Sequence, residues 1–247
     1  MEVLRFKLSG RTAFFKKPDV NTYYYFTYGS IHKIALLGIM GSVIGLTGYN
    51  AQSRDFEKNI YPEFYDRLKS SKVAVVTLNE HGYITKKVQA FNNSVGYASK
   101  EAGGNLIVKQ QWLENPKWLI YVKIDSVTAK FADMLMKNKA KFLPYLGTND
   151  HFADITDVCR LEVSKTDDFE IIDSMFKTQY FKVDKYADEN GEDTAWKYTE
   201  YLPVGMDEEL NQYQFADFTE TNMYVDSLDE NEFIYRDEEF GKNIYFF

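Results

Sequence analysis

The sequence has few of the residues from which most enzyme and metal sites are built. Its 247 residues include one cysteine and three histidines. The single thiol, Cys159, excludes an internal disulfide and a cysteine-cluster metal site, and its strand-like surroundings predict a small buried hydrophobe. No spacing of histidines and carboxylates forms a metal signature, and no Walker loop, GxSxG or GxGxxG occurs. The sequence therefore gives no support to a hydrolase or a nucleotide-binding protein, and we expect no cofactor.

Long apolar runs are missing as well. The longest, about residues 34–46, is too short and too rich in glycine to span a bilayer. The chain opens on alternating polar and apolar residues, so no signal peptide is predicted. We expect a soluble, cytoplasmic protein without a membrane partner.

Charge is divided unevenly along the chain. The formal net charge is −8, yet residues 1–150 hold 21 Lys and Arg against 12 Asp and Glu, a net +9. Residues 151–247 hold 8 against 25, a net −17. Such asymmetry predicts a basic face for an anionic partner and an acidic segment turned away from it. A solvated acidic tail beside an ordinary domain is the alternative.

The order of elements indicates an α+β fold. Glu2–Ser9 alternates as a half-buried strand does. The later elements are helices over about 33–46, 56–71 and 127–138, strands over 72–79, 117–125 and 158–163, and a strand-like run over 169–172. This βαββαβ order is ferredoxin-like and resembles that of RRM domains. Four glycines of the first helix share one face, which predicts close packing onto the sheet: Gly38, Gly41, Gly45 and Gly48.

Two polar segments interrupt this order. Residues 84–113 read as a projecting hairpin, or thumb, with a glycine-rich tip. Residues 11–30 form a long polar and aromatic loop. We expect a ferredoxin-like domain over residues 1–165 and a smaller, acidic, mainly β region over residues 166–247.

Three stretches together resemble one family. They are the opening strand, loop and glycine-studded helix from Phe6 to Leu46, the polar hairpin, and YLGTNDHFADI from Tyr145 to Ile155. They look like the Cas-five family of the RAMP superfamily, nearest to its type I-B branch. The similarity covers roughly residues 1–165; the acidic third matches no motif.

The resemblance implies a subunit of Cascade, the CRISPR surveillance complex that serves antiviral defence. Members of this family cap the 5′ handle of crRNA, with the thumb across the RNA. They dock the backbone subunit and the large subunit, and they meet target DNA indirectly through the complex. In the type I-B branch a separate nuclease usually cuts the precursor RNA, so the resemblance implies a subunit that binds RNA without catalysis.

RNA is held by cations on phosphates, by stacked rings and by backbone amides. The loop and hairpin supply these groups, and the turn Gly29-Ser30 before the first helix is an expected anion seat. The candidate RNA-binding residues are Arg11, Lys16, Lys17, Tyr23, Tyr24, Tyr28, His32, Lys86, Lys87, Tyr97, Lys100, Lys109, Gln111 and Trp112.

Two alternatives remain open. The type I-C branch of the family cuts precursor RNA without a metal, and here His32 would be the general acid or base, assisted by Tyr28 or Lys33. The chain could instead be a protein adaptor whose loop tyrosines meet another subunit. Each of these residues also has a purely structural explanation. His32 would stabilise the start of a helix, the hairpin lysines would protect a strand edge from aggregation, and Trp112 would anchor the hairpin in the core.

Overall fold

The computed structural model describes residues 1–19, 24–52, 60–94, 96–184 and 194–247. Over these residues the chain is a mixed α and β protein with many strands and few helices. The described helices are α1 (Lys33–Ile44), α2 (Tyr49–Gln52), α3 (Glu63–Leu68) and α4 (Ala129–Met136). None of them is long and apolar enough to cross a membrane.

One antiparallel sheet of four strands organises the first part of the chain. Its members are β1 (Glu2–Ser9), β3 (Val73–Thr77), β6 (Lys117–Lys123) and β7 (Asp154–Glu162), in the order β3-β6-β1-β7. Leu4, Phe6 and Leu8 of β1 point to one face and are fully buried, because alternate side chains of a strand share a face. The observed strands lie within a few residues of the predicted ones.

Helices α1 and α4 cover that face. The Phe6 and Phe131 rings meet edge to face with centroids 5.9 Å apart, which fixes α4 on the sheet. Helix α1 begins after His32, whose Nδ1 accepts a hydrogen bond from the Ala35 N–H. Of the predicted helix over 56–71, residues 56–59 lie outside the described ranges, and within the described part only α3 is helical, with Pro62 before its first residue and Lys69 after its last.

The four glycines of the first helix do not pack together on the sheet, so that prediction is wrong. A Cβ on Gly41 would lie 2.7 Å from Cβ of Phe64 in α3. Gly45 caps the helix in the left-handed conformation with φ 86°, and Gly48 lies beyond its end. Gly38 has no described atom within 4 Å of its Cβ position. The glycines thus serve different purposes because the helix ends among them.

The opposite face of the sheet is covered by the C-terminal part of the chain. Strand β14 (Ile234–Asp237) lies between β15 (Lys242–Tyr245) and β8 (Ser164–Thr166) and pairs with both. Ile244 and Phe246 pack against Val3 and Tyr121 of the sheet, and the Phe247 and Val73 backbones exchange two hydrogen bonds. The alternative of a solvated acidic tail is therefore wrong.

Further strands complete the C-terminal region. They are β9 (Phe176–Lys177), β10 (Phe181–Val183), β11 (Lys197–Met206), β12 (Tyr213–Thr221) and β13 (Val225–Ser227). The sheets are β11-β12-β9 and β10-β13. Leu202 and Phe218 belong to the same apolar core as Leu4 and Leu37. Residues 169–172 form no strand, so that prediction is wrong, and the division of domains at residue 165 stays a prediction.

Candidate nucleic-acid interface

The predicted thumb is a hairpin that shares a sheet with the N-terminal loop. Strands β4 (Lys86–Asn92) and β5 (Ile107–Glu114) form the hairpin, and β2 (Thr12–Ala13) pairs with the free edge of β5. Further along that edge, the Tyr25 N–H donates to the Lys109 carbonyl at 2.9 Å and the Gln111 N–H donates to the Tyr25 carbonyl at 2.9 Å. The loop and the hairpin are therefore one surface.

Alternation divides the candidate residues between two faces of this sheet. The face of each residue follows from its pairing. The evidence is the register of β4 with β5, the bridges of Tyr25 to Gln110 and of Lys16 to Thr27, and the hydrogen bond from the Lys17 N–H to the Phe26 carbonyl. The first face, called the Lys109 face, carries Lys17, Tyr24, Phe26, Lys86, Lys109 and Gln111. The second, called the Trp112 face, carries Lys16, Tyr25, Lys87 and Trp112.

The Lys109 face combines a stacked aromatic pair with a free cation. The Tyr24 and Phe26 rings stack with centroids 5.2 Å apart and an interplanar angle of 28°, and Phe26 is 41% exposed. Lys109 is exposed and has no acidic partner within 4 Å among the described residues. Tyr24 is half-buried, so Phe26 is the exposed ring of the pair, and an exposed ring beside a cation is what a single-stranded nucleic acid needs for stacking and phosphate contact.

Side chains on the Trp112 face are mostly engaged within the chain. Lys87 pairs with Glu114 at 3.1 Å. The Trp112 ring meets His151 edge to face at 4.6 Å and donates its indole N–H to Gln110 at 2.8 Å. Lys16 is exposed, with its ammonium 4.3 Å above the Tyr25 ring. This face has fewer groups free to meet a ligand.

The expected anion seat before α1 is filled by a carboxylate of the chain itself. The Gly29 N–H donates to both Glu200 oxygens, at 3.0 and 2.8 Å. Lys17 Nζ lies 3.3 Å from the same carboxylate, and the Tyr198 hydroxyl donates to it at 3.0 Å. Burial lowers the pKa of nearby Lys86, while Glu200 raises it and Lys17 lowers it. The carboxylate of Glu200 therefore occupies the Gly29 N–H and the Lys17 ammonium, the groups that were expected to bind phosphate.

His32, Tyr28 and Lys33, the candidate catalytic group, are withdrawn from solvent to different degrees. Burial lowers the pKa of His32 to about 3, so its imidazole is neutral at physiological pH. Tyr28 is 2% exposed, and burial raises the pKa of its hydroxyl. Burial lowers the pKa of Lys33 to about 8, and its ammonium donates to the Phe247 carbonyl at 3.3 Å.

The remaining candidates lie at the periphery. Tyr97 at the hairpin tip is 79% exposed, and Lys100 is exposed beside it. Arg11 is exposed near the base of the hairpin. Tyr23 lies outside the described residues. Among the described residues no cluster of histidine, cysteine and carboxylate side chains could hold a metal ion.

Sequence reasoning missed two participants. Phe26 was passed over because the loop has no periodicity to show that residues 24–27 run beside a strand. Glu200 gave no local signal, because its contact with Gly29 joins positions 171 residues apart.

No protein-family model and no curated protein matches this chain. Solved structures do match it in fold. A chain of a CRISPR RNA-guided surveillance complex aligns with a TM-score of 0.55 at 13% identity, over 92% of this chain and 91% of that chain. A CRISPR protein from Archaeoglobus fulgidus aligns with a TM-score of 0.54 at 10% identity, over 99% of this chain and 98% of that chain.

These similarities define the class: the chain has the fold of CRISPR-associated proteins. The predicted resemblance to such proteins is confirmed at this level. The assignment to the type I-B branch stays a prediction.

Proposed function

We propose that this chain is a non-catalytic subunit of a type I CRISPR effector, Cascade, that binds and caps the 5′ handle of crRNA. The observation that carries the proposal is the pairing of Tyr25 with β5. This pairing brings the stacked rings of Tyr24 and Phe26 beside Lys109 and Gln111 on one face, where Phe26 and Lys109 are exposed. Single-stranded RNA is gripped by such a combination of rings, amides and cations.

The strand order supports a ferredoxin-like assignment for the first part of the chain. In chain order β1, β3, β6 and β7 are first, second, third and fourth, and the sheet runs second, third, first, fourth with antiparallel neighbours. In RRM domains the open sheet face stacks the bases. Here residues such as Phe246 cover that face, so we assign RNA binding to the hairpin surface instead.

The wider role follows from the same proposal. The subunit would dock the backbone and large subunits, meet target DNA indirectly through the complex, and act in the cytoplasm in antiviral defence. A type I-B complex is the assignment that the sequence resemblance favours. The exposed tip residues Tyr97 and Lys100 would mark the boundary of the bound handle.

Absence of catalysis is supported by the surroundings of His32. Its Nδ1 accepts a hydrogen bond from the Ala35 N–H at 3.3 Å, and a pKa of about 3 leaves it unable to act as an acid near neutral pH. The endoribonuclease alternative has a direct test. Purified chain is incubated with repeat RNA in EDTA, and a discrete cut that His32→Ala abolishes would replace this proposal.

RNA affinity tests the proposed binding surface. The assembled complex is titrated with guide RNA carrying its handle, using wild type, Phe26→Ala and Lys109→Ala. We expect Phe26→Ala to cost about 1–3 kcal/mol of binding free energy, the range for one stacked base. Lys182→Ala, a change of an exposed lysine on β10, is the matched control. Equal affinities for all four proteins would contradict the assignment of this surface.

A further inference from the structure

A second surface lies along the outer side of α1, away from the sheet. It is a cleft of about 490 Å³ between the helix, residues 142–148 and the pair Tyr49 and Tyr213. Its lining is mostly aliphatic and aromatic, and among the described residues it includes no acidic side chain. Clefts of this size and composition take ligand groups or the side chains of a partner.

One wall of the cleft is fixed to the end of α1. The last carbonyls of a helix lack partners within the helix. Here the Ser42 carbonyl accepts from the Phe142 N–H at 3.1 Å and the Val43 carbonyl from the Lys141 N–H at 2.8 Å. Lys130 Nζ donates to the Ile44 carbonyl at 3.1 Å. The wall is therefore formed before any partner arrives.

The floor of the cleft is Gly38. Glycine inside a helix is unfavourable relative to alanine, and a position that faced water would accept any helix-forming residue. No described atom lies within 4 Å of the Cβ position of Gly38, so the fold itself does not require glycine there. The missing side chain is what keeps the cleft deep.

The mouth of the cleft exposes large apolar side chains. Leu143 is 77% exposed, Phe142 55%, Tyr49 47% and Tyr145 46%. A contiguous group of this kind on a protein surface marks an interaction site rather than ordinary exposure. Mixed aliphatic and aromatic anchors are typical of the centre of a protein–protein interface.

The segment that leads into this wall is basic, and the lining itself includes Lys16. Lys137, Lys139 and Lys141 lie on the segment leading into the wall and are exposed. Within the described ranges, none of the three has an acidic side chain within 4 Å. Free cations around an apolar cleft select an occupant with negative charge beside its apolar residues.

We propose that this cleft is a docking site for a partner-protein segment that inserts leucine or phenylalanine side chains and carries acidic residues on either side of them. Leu143 and Phe142 grip the apolar side chains over the Gly38 floor, and the three lysines attract the flanking carboxylates. The proposal does not depend on the Lys109 face, since none of these lysines belongs to it, although the cleft lining includes the candidate RNA-binding residues Lys16 and His32.

The test uses the full chain and a fluorescent peptide, EELFEELLFEE, with KKLFKKLLFKK as the charge-reversed control. Fluorescence anisotropy is measured for wild type, Gly38→Leu, Leu143→Ser and a triple change of Lys137, Lys139 and Lys141 to Glu. The Cβ position of Gly38 has no described atom within 4 Å, so the Gly38→Leu side chain projects into the cleft, and replacing a glycine inside a helix should leave the melting temperature equal to or above that of wild type. Leu228→Ser, at another exposed leucine (62%), is the control.

We expect the acidic peptide to bind wild type and the Leu228→Ser control alike. Gly38→Leu and Leu143→Ser should each weaken binding about tenfold or more, and the triple change should reverse the preference between peptides. Leu143→Ser lies on the surface and keeps the test valid should Gly38→Leu not fold. Absence of binding up to millimolar peptide, or equal binding by Gly38→Leu and wild type, would overturn the proposal.

The same protein samples also test two other occupants of the cleft, a second copy of this chain and single-stranded RNA. Sedimentation that shows a dimer of wild type, lost in Gly38→Leu, would mean that a second copy of this chain fills the cleft. Displacement of the peptide by single-stranded RNA in the wild type would assign the cleft to nucleic acid. Either result would overturn the docking of a partner protein.

Discussion

The basic and acidic parts of this chain use their charges in opposite ways. Lys109 and Lys100 in the first part are exposed and unpaired within the described residues. Three acidic groups of the second part are turned inward to bind the first: Asp237 to Arg5 at 2.9 Å, Glu200 to Gly29, and Glu220 to the Thr77 hydroxyl at 2.7 Å. Through these contacts the C-terminal region is held as a cover on the sheet, while lysines of the hairpin such as Lys109 stay without an acidic partner among the described residues.

We expect the largest loss of stability from a substitution of Asp237, which joins the C-terminal region to the sheet. Arg5 and Asp237 are buried together, and the Tyr121 hydroxyl donates to the same carboxylate oxygen at 2.8 Å. Asp237→Ala leaves the guanidinium of Arg5 without its buried partner, which costs about 3–5 kcal/mol of unfolding free energy. Urea denaturation measures the change. Glu239→Ala is the control, because Glu239 also contacts Arg5 but its side chain is 63% exposed, and its loss should cost less than about 1 kcal/mol.

Equal effects of the two substitutions would contradict the view that the buried pair ties the acidic region to the sheet.

The stability contributed by the Arg5–Asp237 pair depends on pH in a defined direction. Burial raises the pKa of Asp237, but hydrogen bonds from Tyr121 and Arg5 outweigh it and leave the pKa lowered. This contribution to stability is present above the unfolded pKa and is lost as the pH falls through the folded value.

Glu220 makes the second contact between the C-terminal region and the sheet. We expect its contribution to stability to be smaller and to depend on pH in the opposite direction from that of Asp237. Burial raises its pKa to about 7, although hydrogen bonds from Thr77 act to lower it. A folded pKa above the unfolded one stabilises the protein below the unfolded value, and this is lost as the pH rises through about 7. Urea midpoints from about pH 5 to about pH 8 should fall in wild type more steeply than in Glu220→Gln. Identical pH profiles for the two proteins would reject this role, and Glu209→Gln, at an exposed turn, is the control.

The third prediction compares the two faces of the hairpin sheet. Lys109→Ala should reduce the slope of log affinity against log salt by about one, as loss of one phosphate contact does. Lys87→Ala should change the slope little, because Lys87 is already paired with Glu114. The measurement is guide-RNA affinity of the assembled complex over a salt series. A larger effect from Lys87 than from Lys109 would reverse the assignment of the faces.

We expect the smallest effect, a change in guide-RNA affinity, from a substitution of Glu200, whose carboxylate contacts Lys17 on the Lys109 face. Glu200→Gln keeps an oxygen for the Gly29 N–H but removes the charge that holds Lys17. Partly exposed pairs contribute little, so we expect guide RNA to bind about two- to fivefold more tightly, with melting temperature nearly unchanged. Weaker binding would mean that Glu200 supports the RNA surface instead of competing with it.

Much of the fold could be read from local pattern. The alternation in Glu2–Ser9 and the amphipathic run that became α4 define their elements through their own sequence. The helix over 56–71 shrank to α3 in the described residues, and residues 169–172 resemble a strand in composition yet find no partner to pair with. Strand pairing is decided by distant residues, which a local window does not contain.

The candidate interface was readable in composition but not in arrangement. Lysines and tyrosines of the loop and hairpin were identified, yet adjacent residues Lys16 and Lys17 point to opposite faces once the loop pairs with β5. The role of Glu200 was out of reach for the same reason. Long-range contacts decide which charges remain free.

Residue-by-residue crosslinking of guide RNA in the assembled complex tests the central claim most directly. The account predicts crosslinks from the RNA handle to Tyr24, Phe26 and the hairpin tip around Tyr97. Crosslinks confined to residues 166–247, or to the Trp112 face, would contradict it.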